Sequence, residues 1–193
     1  DRSLSCVGTY TQRMQASAPG KPVWMVLQGF GWADLDETGR GKDRARLVRP
    51  TLEQSRFMAY DAIANGARGI LYWGTSVIEK DSQLWRDLMA LAEELKGLQG
   101  VLASKDAKAP TVTCEASFGS LDRGIRVLAK AAPEGTWYIV VNEAPEPLTY
   151  TLHDLDAPDG TRYREVRSGV ETPVTGGRYT SSLIARGVQV LGP

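Results

Sequence analysis

No apolar run in this sequence approaches the roughly 20 residues that a helix needs to cross a bilayer, and the N-terminus lacks the basic-then-apolar layout of a signal peptide. A soluble chain with no membrane partner is expected. Charge of one sign is also missing: 23 Lys and Arg stand against 23 Asp and Glu, so no overall field would recruit nucleic acid. Cysteine and histidine are scarce, with Cys6, Cys114 and His153 the full set. They match no metal-ligand spacing, so no metal is expected and both cysteines read as free thiols. His153, beside Asp154 and Asp156, reads as a solvated turn residue. Neither long apolar stretch is followed by a Gly-x-Gly-x-x-Gly or Walker turn, which argues against a nucleotide cofactor; none is expected. The chain opens on Asp1 rather than methionine, which suggests a processed piece and leaves an extracellular or periplasmic location open.

What is present is more informative. The stretch Gly66-Ala-Arg-Gly-Ile-Leu-Tyr-Trp-Gly74 starts with a glycine placed to cap a helix, continues as a short apolar segment and ends in two aromatics. It predicts a tight turn and then a buried strand with Tyr72 and Trp73 at its carboxyl end. Upstream, Pro22–Gln28 is a second apolar, β-rich run of the kind found in strands covered on both faces. Leu4, Val7, Thr11 and Met14 predict a helix over 3–17, in spite of Gly8. Thr51 and Gln54 have capping-box spacing ahead of a helix reaching about Asn65. Asp81 or Ser82 can cap a further helix whose Leu84, Leu88, Leu91, Leu95 and Leu98 form one apolar stripe. Strand, helix, strand in this order makes a parallel pair. Trp24, Trp85 and Trp137 fall inside periodic segments and read as packing residues.

From Ser104 the texture changes. Residues through Pro110 read as a linker. Short β-rich runs follow at Val112–Ala116, Ile125–Ala131, Trp137–Asn142, Leu148–Leu152, Arg162–Val166, near Tyr179 and at Val188–Leu191, the spacing of a small antiparallel β-sandwich. The fold class is α/β followed by all-β, with domains at 1–104 and 105–193. Two parallel strands leave two unpaired edges, so the first domain needs further strands from upstream sequence or from a second chain.

Lys21-Pro-Val-Trp-Met-Val-Leu-Gln28, Arg49-Pro-Thr-Leu-Glu53, Ala59-Tyr60 and Gly66-Ala-Arg-Gly-Ile-Leu-Tyr-Trp73 resemble the last two β/α units of glycoside-hydrolase-type (β/α)8 (TIM-type) barrels. Trp137-Tyr-Ile-Val-Val-Asn142 and Gly187-Val-Gln-Val-Leu191 are similar to the β-domain such proteins carry at the C-terminus. The resemblance implies a carbohydrate ligand, and catalytic carboxylates near the ends of strands four and seven. Here the tip of the implied strand seven is Gln28, an amide that cannot be a nucleophile or a general base. Hydrolysis of a glycosidic bond needs two carboxyl groups, so this chain alone is expected to be inactive.

Sugar rings offer apolar C–H faces and hydroxyl edges, which suit flat aromatics beside amides. Trp73 is read as a platform, Gln28 as a hydroxyl partner, and Phe30, Trp32 and Tyr72 as walls, with one of Tyr72 and Trp73 turned into the core. Glu37 and Glu79 are weak catalytic candidates. Asp34, Asp36 and Asp81 read as loop charges or caps. The alternative is a non-catalytic carbohydrate-binding or structural protein with a degenerate barrel.

Overall fold

The computed structural model describes residues 3–35, 48–115 and 124–193. The chain divides into two compact units, Asp1–Gly97 and Leu98–Pro193.

In the first unit, helix α1 spans Cys6–Ser17, strand β1 Trp24–Gln28, helix α2 Leu52–Ala64, strand β2 Gly69–Trp73 and helix α3 Gln83–Gly97. The two strands pair in parallel, Trp24 opposite Gly69 through to Gln28 opposite Trp73. The capping box forms as its spacing predicts: the Gln54 amide donates to the Thr51 hydroxyl, and the Gln54 side chain accepts from the Thr51 amide. Ser82 is the residue that caps α3, its hydroxyl accepting from the Trp85 amide. Leu84, Leu88 and Leu91 of the stripe are buried.

Gly8 is an asset to α1 rather than a defect. Its amide, one of the early helix donors that have no partner inside the helix, donates to Asp61 Oδ2 of α2 at 2.7 Å. A Cβ on residue 8 would lie 2.4 Å from Asn65 Nδ2 and 2.7 Å from Asp61 Oδ1. Only glycine lets the fully buried carboxylate of α2 reach the backbone of α1 this closely.

The expectation of strands buried on both faces fails among the described residues. Successive side chains of a strand point to opposite faces. Met25 and Leu27 are buried on one face, whereas Trp24, Val26, Leu71 and Trp73 on the other are 65%, 57%, 53% and 55% exposed. Trp24, read as a packing residue, instead lies flat across Gly69, where a Cβ would come within 2.5 Å of its ring.

The second unit begins with helix α4 at Gln99–Ala103. Strands follow at Lys105–Asp106 (β3), Thr111–Glu115 (β4), Ile125–Ala132 (β5), Gly135–Asn142 (β6), Leu148–His153 (β7), Arg162–Glu165 (β8), Glu171–Pro173 (β9), Tyr179–Leu183 (β10) and Val188–Gly192 (β11). They form a three-stranded sheet, β10-β7-β4, and a six-stranded sheet, β3-β5-β6-β11-β8-β9, and the strand pairs are antiparallel. Tyr138, Val140, Tyr163 and Leu191 from the larger sheet share one buried cluster with Tyr150, Leu152, Tyr179 and Leu183 from the smaller.

The linker reading of 104–110 needs correction at its start. Lys105 and Asp106 pair with β5, and the buried Lys130 ammonium donates to the Ser104 carbonyl at 2.8 Å and to Asp106 at 2.7 Å. A lysine within β5 gave no sign that its charge reaches back to this segment. His153 likewise ends a strand rather than sitting in a turn, and its Nε2 lies 2.7 Å from the Thr113 hydroxyl. At the far end Asn142, fully buried, donates to the Glu146 and Ile184 carbonyls and accepts from the Ala144 amide, which joins two turns. Cys6 and Cys114 are both free thiols.

Candidate functional site

The carboxyl ends of β1 and β2 lie side by side, with Gln28 opposite Trp73. The Gly29 amide donates to the Trp73 carbonyl at 2.9 Å, which carries the pairing one residue further and sets Phe30 over Gly74. Phe30 is buried among Ile78, Leu84 and Leu88. Its ring meets Trp73 edge-on at 5.0 Å and Trp32 edge-on at 5.0 Å. Those two indoles are more than half exposed. Three aromatics up to 43 residues apart in sequence are thus joined through one buried ring, with T-shaped contacts of the kind aromatic pairs prefer.

Gln28 belongs to the same group: its Nε2 donates to the Phe30 carbonyl at 2.7 Å. Tyr72 does not. Alternation sends it to the helix side of the sheet, where it packs against the Phe30, Ile78, Leu84 and Leu88 cluster. Its hydroxyl is buried and has no hydrogen-bond partner among the described residues, and burial pushes its ionisation well above the usual tyrosine range.

Trp32 sits on a single 3-10 turn, Trp32–Leu35. Asp34 closes this turn on itself, its amide donating to the Gly31 carbonyl and its Oδ2 accepting from the Gly31 amide at 2.7 Å. Arg49 then grips Asp34 with a fork: Nε lies 2.9 Å from Oδ2, and Nη2 lies 2.9 Å from Oδ1. The same Nη2 donates to Glu79 at 2.6 Å, on the connection that follows β2. By sequence alone Arg49 has no role of its own beyond its place in Arg49-Pro-Thr-Leu-Glu53. The one available signal was its place immediately before Pro50 and the capping box, which ties it to a fixed helix start.

Of the carboxylate candidates, Glu79 is exposed and paired with this guanidinium. Glu37 and Asp36 lie outside the described residues. Burial by itself would raise the Asp34 carboxyl, but the Arg49 hydrogen bonds and the Gly31 amide outweigh it, and the net shift is downward. Glu79 is lowered too, first by its own backbone amide and then by Arg49. Asp34 and Glu79 hold Arg49 in its charged form. Among the described residues no group of three or more His, Cys, Asp or Glu could hold a metal ion.

A titration follows from this. Because the folded Asp34 pKa lies below its ordinary value of 3.8, the pair contributes its stability above that value and loses it as pH falls through the lowered one. Carboxyl carbon shifts read by NMR are expected to give Asp34 a midpoint below 3.8. In Arg49→Met the midpoint should rise, since burial then acts with less opposition. An unchanged midpoint in the variant would show that Arg49 does not set it.

No protein-family model matches the sequence, and no curated protein does. Likeness in fold is nevertheless plain. Several solved structures match almost the whole of this chain with part of their own. One is the alpha-amylase of Geobacillus thermoleovorans, solved with acarbose: TM-score 0.60, 13% identity, 98% of this chain and 44% of that one. Another is AmyP in complex with maltose: TM-score 0.57, 13% identity, 97% and 48%. A third is a Bacteroides fragilis protein assigned to the alpha-galactosidases or melibiases: TM-score 0.53, 16% identity, 98% and 38%. At these identities the likeness concerns fold alone. The chain spans less than half the length of the structures it matches.

Proposed function

We propose that this chain is the C-terminal part of a carbohydrate-active (β/α)8 protein. In this reading β1–α2 and β2–α3 are barrel units seven and eight and an appended β-sandwich follows, the boundary expected after 104 moving to Gly97–Leu98, where the second compact unit begins. The observation that carries the proposal is the aromatic group at the carboxyl ends of β1 and β2, where Phe30 links the exposed Trp32 and Trp73 beside Gln28. Ligands of α/β folds bind at that end of the strands. Trp32 and Trp73 offer apolar faces for sugar rings, and Gln28 offers its amide to a hydroxyl. Tyr72 supports the site from beneath.

The exposed face of Trp24, Val26 and Leu71, on the strands before the Trp73 tip, supports the remaining part of the reading. Large apolar side chains gathered on one sheet face are normally covered. The cover in this proposal is the rest of the barrel, from upstream sequence or from a second chain. Acid–base chemistry then belongs with that remainder, because the strand tip holds Gln28, and Asp34 and Glu79 are paired, ionised carboxylates rather than proton donors.

That same pairing favours one alternative, a non-catalytic sugar-binding protein on a degenerate barrel. Release of reducing sugar from maltotriose by the full protein separates the two readings, since the alternative expects binding without turnover.

Loss of the platform is the direct test. Removing a large aromatic from a sugar contact forfeits about 2 kcal/mol, a roughly thirtyfold loss of affinity. Trp73→Ala is therefore expected to weaken maltotriose or melibiose binding by about that factor in calorimetric titration of the full protein. Undiminished affinity would remove Trp73 from the site.

A further inference from the structure

The 3-10 turn that carries Trp32 buries none of its own residues. It cannot be held in place by packing of its own side chains into a core. Trp32 touches Phe30 by one ring edge, which leaves its direction to whatever holds the turn. That anchor is polar: Asp34 closes the turn on Gly31, and Arg49 takes both Asp34 oxygens and reaches across to Glu79.

We infer that Arg49 is a positioning residue that sets Trp32 relative to Trp73 by tying the turn after β1 to the connection after β2. The inference rests on the sugar-platform reading of those two indoles, and it extends that reading to a residue that touches no sugar. Partly exposed ion pairs add little to stability, so strength is a poor account of this cluster. Direction is a better one. A planar guanidinium on a carboxylate is bidentate and has few alternative geometries, and its remaining edge engages the second loop at the same time. Neither carboxylate alone would link the two connections. Among the described residues the charged groups that face Arg49 are Asp34 and Glu79, so the strap weakens as those acids take up protons.

The experiment uses the full chain labelled for indole N–H resonances, with Trp32→Phe to assign the Trp32 signal. In Arg49→Met the Trp32 signal is expected to shift or broaden, while that of Trp24, at the opposite end of β1, stays in place and reports an intact first unit. Arg49→Lys should restore little, because an ammonium cannot reproduce the fork. A Trp32 signal unmoved in Arg49→Met overturns the strap, whatever the ligand. With maltotriose as probe, Arg49→Met is expected to weaken binding roughly tenfold in the parent chain and to add almost nothing in a Trp32→Ala background. Equal losses in both backgrounds would overturn action through Trp32. If the parent chain binds neither maltotriose nor melibiose, the platform reading fails for these sugars, and the indole signal alone decides the strap.

Discussion

Gly74→Ala is expected to destabilise the first unit by about 3 kcal/mol. The residue has φ of +82°, and an added Cβ would lie 2.4 Å from Phe30 Cδ1 and 2.8 Å from Cγ. The left-handed backbone costs an alanine about 1–2 kcal/mol, and forcing a group into a packed site costs about 1–3 kcal/mol more. Phe30 cannot retreat, because its ring is buried with Ile78, Leu84 and Leu88 on one side and wedged between Trp32 and Trp73 on the other. Stability and the aromatic group should therefore suffer together, with weaker maltotriose binding beside a lower urea midpoint. Gly20→Ala is the control: φ there is +75°, but nothing lies within 4 Å of the added carbon. It should show the backbone cost alone, about 1–2 kcal/mol. Equal effects at both positions would mean that the Phe30 contact adds nothing.

Glu94→Ala should cost a similar amount for a different reason. Glu94 of α3 accepts from Arg56 Nε at 2.9 Å and from the Tyr60 hydroxyl at 2.7 Å, and both donors stand on α2. Tyr60 is fully buried and Arg56 nearly so, with the guanidinium 4.9 Å from the Tyr60 ring centre. Burial, and after it the Glu94 carboxylate, pushes the Tyr60 phenol well above its usual range, so it remains a donor. Truncation removes the acceptor of two buried donors, one of them charged, and breaking such a group costs about 3 kcal/mol. Glu94→Gln keeps one acceptor oxygen and should cost about half as much. Hydrogen exchange in α2 and α3 measures this without assuming that both units unfold in one step. Protection unchanged in Glu94→Ala would show that apolar contacts alone hold the helix pair.

Much of the local structure was legible because it depends on residues close in sequence. The Thr51–Gln54 box, the leucine stripe of α3 and the order of short strands after Thr111 follow from spacings of two to four residues, and each appears close to its expected place. Short elements without such a pattern were not visible. Strand β3 has two residues and exists through pairing with β5 and the reach of Lys130, and β9 has three. Period alone also mistook an exposed indole for a packed one at Trp24, since alternation says that faces differ without saying which face is covered.

The candidate site divides along the same line. The sequence by itself determined which aromatics could gather, because Phe30 and Trp32 follow one strand and Tyr72 and Trp73 end another that a helical crossover makes parallel to it. It also determined that the tip of β1 carries an amide. Only the tertiary structure decided that Trp73 faces outward while Tyr72 packs beneath, that a single phenylalanine joins the two indoles, and that Arg49 holds Asp34 and Glu79 at sequence separations of 15 and 30. Spacing encodes the faces of one element. Contacts between elements depend on how backbones approach, and glycines at 8 and 74 permit that approach without any periodic signal to mark it.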